Sequence, residues 1–123
     1  MNLPSADVAV IGAGIIGTSV AWRLAQAGCQ VALLDAEAVG GEASWAGAGM
    51  LAPGGEIERG SPWNDFALES LRLYPQFVEE LQSESGFAID YQQLGAVDLA
   101  FTPGEWDRLQ ARASAQREIG IAS

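Results

Sequence analysis

Apolar and polar positions divide this chain into short runs of differing period. Val8 to Ile11 is a continuous apolar, largely β-branched run, the pattern of a strand buried on both faces of a parallel sheet. Ile15 to Ala27 then carries Val20, Ala21, Leu24 and Ala25 at helical spacing, with Gly28 placed to stop the helix. Val31 to Leu34 is a second apolar run and ends in Asp35. Strand, helix and strand in this order predict one parallel βαβ unit with a right-handed crossover. Gly40 to Gly60 loses all period and is rich in glycine and alanine. A long segment of this kind that also carries Trp45, Met50 and Leu51 reads as an ordered functional loop rather than a linker.

From Ser61 the helical period returns. Ser61-Pro62 fits a cap followed by proline in the first turn, and Ala67, Leu71, Tyr74, Val78 and Leu81 mark one face. Pro75 interrupts that face with a residue that has no N–H, which predicts a kink or break. Ile89 to Gln92 and Val97 to Phe101 read as two short strands around Gly95, the second by its alternation. Thr102, Pro103 and Glu105 form a capping box with proline at the first helical position. Phe101 is placed to pack on Trp106, and the helix is expected to reach about Arg117.

Charge and composition narrow the chemistry. The 123 residues carry 49% hydrophobic and 18% charged positions, a globular balance with room for one core. Sixteen acidic residues stand against six arginines, with no lysine and no histidine. The resulting net charge of −10 argues against nucleic-acid and anionic-membrane partners, which need a basic surface. Without histidine, a proton acceptor near neutral pH must be another side chain, a cofactor or the substrate. The single cysteine, Cys29, rules out an internal disulfide and a cysteine-cluster metal site, and reads as a structural thiol. The amino-terminal region lacks a secretory pattern and no run is long enough to span a membrane, so a cytoplasmic location is expected.

The glycines of the first turn each answer a physical demand. Gly12 permits the strand-to-helix turn, Gly14 lets backbone approach a pyrophosphate, and Gly17 lets the helix pack closely. The helix N-terminus then presents free N–H groups and its dipole to an anion. Asp35 lies 18 residues after Gly17. That is the position of a carboxylate that accepts from an adenosine ribose and repels a 2′-phosphate; a solvated strand-end acid is the alternative. Nicotinamide and flavin dinucleotides share these features. The run Ala43 to Pro53 separates them, because small residues with Ser44 form a second cradle that a flavin dinucleotide needs beyond its pyrophosphate.

Gly12-Ala13-Gly14-Ile15-Ile16-Gly17, Asp35 and the Ala43 to Pro53 stretch together resemble the FAD-dependent amino-acid oxidase superfamily. Ala48 to Pro53 is most similar to the glycine oxidases of thiamine biosynthesis. The resemblance spans nearly the whole chain but only the N-terminal portion of the family. It implies an α/β fold: a Rossmann-like FAD-binding βαβ unit in residues 1–60, then the start of an α+β substrate domain in residues 61–123. It places Gly12, Gly14, Ile15, Ile16 and Gly17 at the pyrophosphate turn and Asp35 with Ala36 at the adenosine ribose. It places Ala43 and Ser44 at the phosphates and Ala48, Gly49 and Met50 against the flavin, although Met50 also suits a gap in a core.

Trp45 is expected to pack over the cofactor domain. The ribose acid is often Glu in such flavoproteins, so Asp35 is a departure with a shorter reach. The implied reaction is oxidative deamination of glycine or a similar small amine, with dioxygen reoxidising FAD to give hydrogen peroxide and the product feeding thiazole synthesis. The family's carboxylate-anchoring arginine matches none of the six present, so no catalytic residue and no metal ligand is assigned here, and the full-length protein is expected to self-associate. The alternatives are a non-catalytic nucleotide-binding module and, more weakly, a D-amino-acid dehydrogenase-like or NAD-dependent enzyme fragment.

Overall fold

The structure, a computed structural model, describes residues 5–53 and 61–121. It divides into two compact units, Met1–Met50 and Leu51–Ser123. Residues 54–60 of the glycine-rich stretch, with Arg59, lie outside the described residues.

In the first unit, β1 (Val8–Ile11) is followed by helix α1 (Ile15–Gln26), β2 (Val31–Leu34) and a single helical turn, α2 (Ala43–Ala46). The two strands pair in parallel, with Val8 opposite Val31 and Ile11 opposite Leu34. Asp7 ties the ends together, its carboxylate accepting from the Gln30 N–H at 2.8 Å. Helix α1 ends as Gly28 suggested. The Gly28 N–H donates to the Ala25 carbonyl and the Cys29 N–H to Leu24, while Gly28 takes a φ of +87°. That pair of bonds is a Schellman stop, which needs the left-handed backbone that glycine adopts freely.

Burial of the strands differs from expectation. Val8 and Val10 are half-buried, but Ile11 is 87% exposed and Leu34 is 55% exposed. Helix α1 covers one face of the sheet, and among the described residues of this unit nothing layers the other. An apolar run signals a strand whose two faces can be buried; whether both are depends on a second layer.

In the second unit, α3 (Pro62–Ser85) and α4 (Pro103–Glu118) are the helices. The Trp63 N–H donates to the Ser61 hydroxyl, the predicted cap. Val78 is buried and Ala67, Leu71, Tyr74 and Leu81 are half-buried, so the anticipated face is the covered one. Pro75 does not break the helix: α3 runs continuously through it for 24 residues. Neither Ile89–Gln92 nor Val97–Phe101 forms a strand. A strand needs a partner ladder, and among the described residues none is offered to them. Instead Tyr91 stacks at 5.6 Å from Tyr74, the Ile89 N–H donates to the Gln82 side chain, and Asp98 pairs with Arg112 of α4.

The capping box of α4 is complete. Glu105 accepts from the N–H groups of Phe101 (2.8 Å) and Thr102 (3.0 Å), and its own N–H donates to the Thr102 hydroxyl at 3.3 Å. Phe101 remains 84% exposed, so the box rather than an apolar staple fixes this turn. The Phe101 N–H, then the Thr102 hydroxyl, hold the Glu105 carboxyl below its ordinary range, with desolvation opposing them. Because the folded value is depressed, this contribution is complete above the ordinary glutamate range and is lost as pH falls through the folded value. Thr102→Ala is expected to cost about 1 kcal/mol. Amide exchange at Glu105 should quicken in that variant; in the unsubstituted chain the protection of the Phe101 and Thr102 amides, relative to their intrinsic exchange, should fall as pH drops through the depressed Glu105 value.

Candidate nucleotide-binding site

The site is built at the carboxyl ends of β1 and β2, where an open parallel sheet presents its ligand crevice. Gly12 leaves β1 with a φ of +100°, and its N–H donates to the Leu34 carbonyl at 2.8 Å. Gly17 lies one helical turn beyond. A Cβ there would stand 1.8 Å from the Gly12 carbonyl oxygen, so the turn closes at this radius only because position 17 has no side chain. Gly14 is the N-cap of α1, and no side chain of its own caps the helix.

The segment after β2 folds back over this turn through three hydrogen bonds. The Asp35 carboxylate accepts the Ala13 N–H at 2.5 Å, and the Gly40 N–H donates to the Ala13 carbonyl at 2.9 Å. Ala13, held at both ends of its backbone, is 1% exposed. The third bond comes from α2, where the Ser44 hydroxyl accepts the Ile15 N–H at 2.9 Å. Ser44 thus sits at the N-terminus of α1, and a Cβ on Gly14 would approach its oxygen to 3.0 Å. The second Asp35 oxygen accepts from the Glu37 N–H at 2.9 Å. The Ala13 N–H foremost, then that of Glu37, hold the Asp35 carboxyl below its ordinary range; desolvation opposes them and the Ala36 N–H adds slightly. Asp35 is an anion at neutral pH.

The structure therefore brings Gly12, Gly14, Ile15, Ile16, Gly17, Asp35, Ala36, Ala43 and Ser44 into one region. Ile15 and Ile16 are 59% and 78% exposed on the first turn of α1. Ala48, Gly49 and Met50 follow α2 as irregular, exposed chain, with Gly49 at a φ of +71° and Met50 82% exposed. Trp45 is 84% exposed and does not pack over the domain as anticipated, because its four-residue helix leaves it facing solvent. Sequence reasoning missed Ala13, Gly40 and Glu37. Only the Gly40-Gly41 pair carried a signal, as a place where backbone can pass close to backbone.

The residues present fit a dinucleotide. The first-turn N–H groups of α1 have no intrahelical acceptors, and Ser44 supplies a hydroxyl at the mouth of the turn, where it occupies the Ile15 N–H. Among the described residues no cluster of His, Cys, Asp and Glu could hold a metal ion, and no helix is long and apolar enough to cross a membrane.

Residues 7–123 match the family model of the FAD dependent oxidoreductases. The glycine oxidase of Geobacillus kaustophilus (strain HTA426) is 37% identical over 114 residues, which are 93% of this chain and 30% of that protein. The glycine oxidase of Bacillus subtilis (strain 168) is 41% identical over 106 residues, 86% of this chain and 28% of its own length. The crystal structure of the Geobacillus kaustophilus glycine oxidase superposes with a TM-score of 0.87 at 36% identity, covering 94% of this chain and 31% of that one. The chain spans about 30% of the length of these relatives.

Proposed function

This chain belongs to the FAD dependent oxidoreductase family, and we propose that it forms the adenosine- and phosphate-binding part of a site for FAD in an enzyme that oxidises glycine or a similar small amine. The observation that carries the reading is the lacing of the 35–44 segment onto the glycine turn, which sets Ser44 at the N-terminus of α1.

In this reading residues 1–60 serve the cofactor and residues 61–123 begin the substrate domain. Gly12, Gly14 and Gly17 clear space for the pyrophosphate, and the N–H groups of Ile15 and Ile16 face it with the α1 dipole behind them. Ser44, with the backbone of Ala43, adds hydrogen bonds to the phosphates, and its bond to Ile15 yields to a phosphate oxygen. Asp35 and the Ala36 backbone receive the adenosine ribose. Ala48, Gly49 and Met50 line the path towards the flavin.

Bound FAD would supply the hydride acceptor, with dioxygen as the final oxidant and hydrogen peroxide as its product. The imine or glyoxylate formed from glycine supplies thiazole synthesis. No side chain here is assigned to the chemical step. Arg72 is paired with Glu69, Arg112 with Asp98, and Arg23 lies 4.6 Å over the Trp22 ring.

Flavin fluorescence quenching, with NAD as comparator, tests the cofactor assignment. The 123-residue chain is expected to bind FAD in preference to NAD, to lose it on gel filtration, and to give no glycine-dependent peroxide. Binding of NAD without FAD would move the site to nicotinamide chemistry, and peroxide turnover would show that the carboxylate anchor lies within this chain.

A further inference from the structure

We propose that Asp35 is a positioning residue for the glycine turn: with the Gly40 N–H it grips Ala13 at both its N–H and its carbonyl and holds the turn in its nucleotide-accepting shape before any ribose arrives. The proposal rests on the reading of this turn as a dinucleotide site, and adds to the ribose contact a task that needs no ligand.

Three observations carry it. Ala13 is 1% exposed and its N–H is covered by the Asp35 carboxylate, the one acceptor it meets among the described residues, through a part-buried bond. A buried N–H left without an acceptor bears the full cost of its desolvation. Ala13 also stands between Gly12 and Gly14, the two residues whose backbone must take and keep the turn. Finally, the same carboxylate reaches forward to the Glu37 N–H at 2.9 Å, the two-residue Asx turn that an aspartate makes with its single methylene. A glutamate is one methylene longer and does not close that small ring while keeping its other oxygen on Ala13. The short side chain, which looked like a poor reach towards a ribose, is the length the clamp requires. Each carboxylate oxygen has a second lone pair, so a ribose hydroxyl can still be received from outside.

The test uses the full chain, the unsubstituted protein first. A scalar coupling between the Ala13 amide nitrogen and the Asp35 carboxyl carbon should be visible by NMR without nucleotide. Asp35→Asn keeps the shape but offers one acceptor and turns an NH2 towards an N–H. It is expected to speed amide exchange at Ala13 by about tenfold or more relative to Ile11. Asp35→Glu, which restores the charge and a reach to a ribose, should not restore that protection.

Binding is then compared for FAD and its 2′,3′-dideoxyadenosine analogue. Asp35→Asn should weaken the dideoxy analogue by about tenfold through the turn alone, and FAD by at least as much because the ribose contact is weakened too. Absence of the coupling with unchanged Ala13 exchange would overturn the proposal, as would a loss confined to the ligand that carries ribose hydroxyls. If the unsubstituted chain binds neither ligand, the cofactor reading fails, and coupling and exchange alone decide whether Asp35 is the clamp.

Discussion

Gly17→Ala is expected to unfold the nucleotide turn. Alanine in the middle of a helix ordinarily stabilises relative to glycine, by up to about 1 kcal/mol. At position 17 the sign reverses, because the new methyl would lie 1.8 Å from the Gly12 carbonyl oxygen and 2.9 Å from its carbon. Both atoms are backbone and cannot swing aside as the end of a long side chain could. Either α1 moves away from β1 or the turn opens, and the cost of such overpacking is about 3 kcal/mol.

Opening the turn also disturbs the Ala13 peptide, and with it the bonds to Asp35 and Gly40, so FAD binding should be lost together with stability. The control is Gly104→Ala in the first turn of α4, where an added Cβ meets nothing within 4 Å. The same chemical change there should gain about 0.5 kcal/mol. Urea unfolding followed by site-resolved amide exchange separates the two. Equal effects at positions 17 and 104 would show that the close approach in the turn is relieved at little cost.

Pro75→Ala should stabilise the second unit strongly. Helix α3 passes through Pro75 without a break, although proline has no N–H for the Leu71 carbonyl and its ring crowds the preceding turn. Interior proline costs a helix about 3 kcal/mol relative to alanine. Three things keep α3 helical despite it. Its N-terminus is capped by Ser61 with Pro62 at the first position, its buried face is centred on Val78, and Gly86 closes its end at a φ of +72°.

Alanine at 75 should therefore raise the stability of α3 by about 2 to 3 kcal/mol. The gain would appear as slowed amide exchange from Leu71 to Glu79 and a higher melting temperature by circular dichroism. The neighbouring contacts of Tyr74 with Phe77 and Tyr91, at 5.9 and 5.6 Å between ring centres, report whether the helix keeps its path. A loss of stability would mean that those rings depend on the geometry proline imposes.

How much of this was legible in the residues follows the range of the interactions. Both strands, the start of α1 and its Gly28 stop, the Ser61 cap and the capping box of α4 could all be read in advance. The helix ends are decided by dihedral preferences or by hydrogen bonds within about one turn of chain, and the two strands by apolar runs that had each other as partners. The apolar face of α3 was equally plain, since a helix must turn its periodic side inward. The break expected at Pro75 did not occur, because caps and packing across 24 residues outweigh one local penalty.

The strands expected at Ile89–Gln92 and Val97–Phe101 failed for the complementary reason. Alternation describes a surface suited to pairing, but a ladder is made by two segments, and the partner is not encoded in the alternating one. One-sided burial of β1 has the same origin.

At the candidate site, the residue types and spacing alone determined that a glycine turn would lead from β1 into α1 and that small residues would follow β2. The Gly12, Gly14 and Gly17 pattern gains its meaning from the strand before it, the helix after it and Asp35 beyond. The tertiary structure decided what those residues do to one another. Ala13 meets Asp35 across 22 positions and Ile15 meets Ser44 across 29. Bonds over such separations depend on where the parallel register of β1 and β2 sets the two loops, which no periodicity within either loop records.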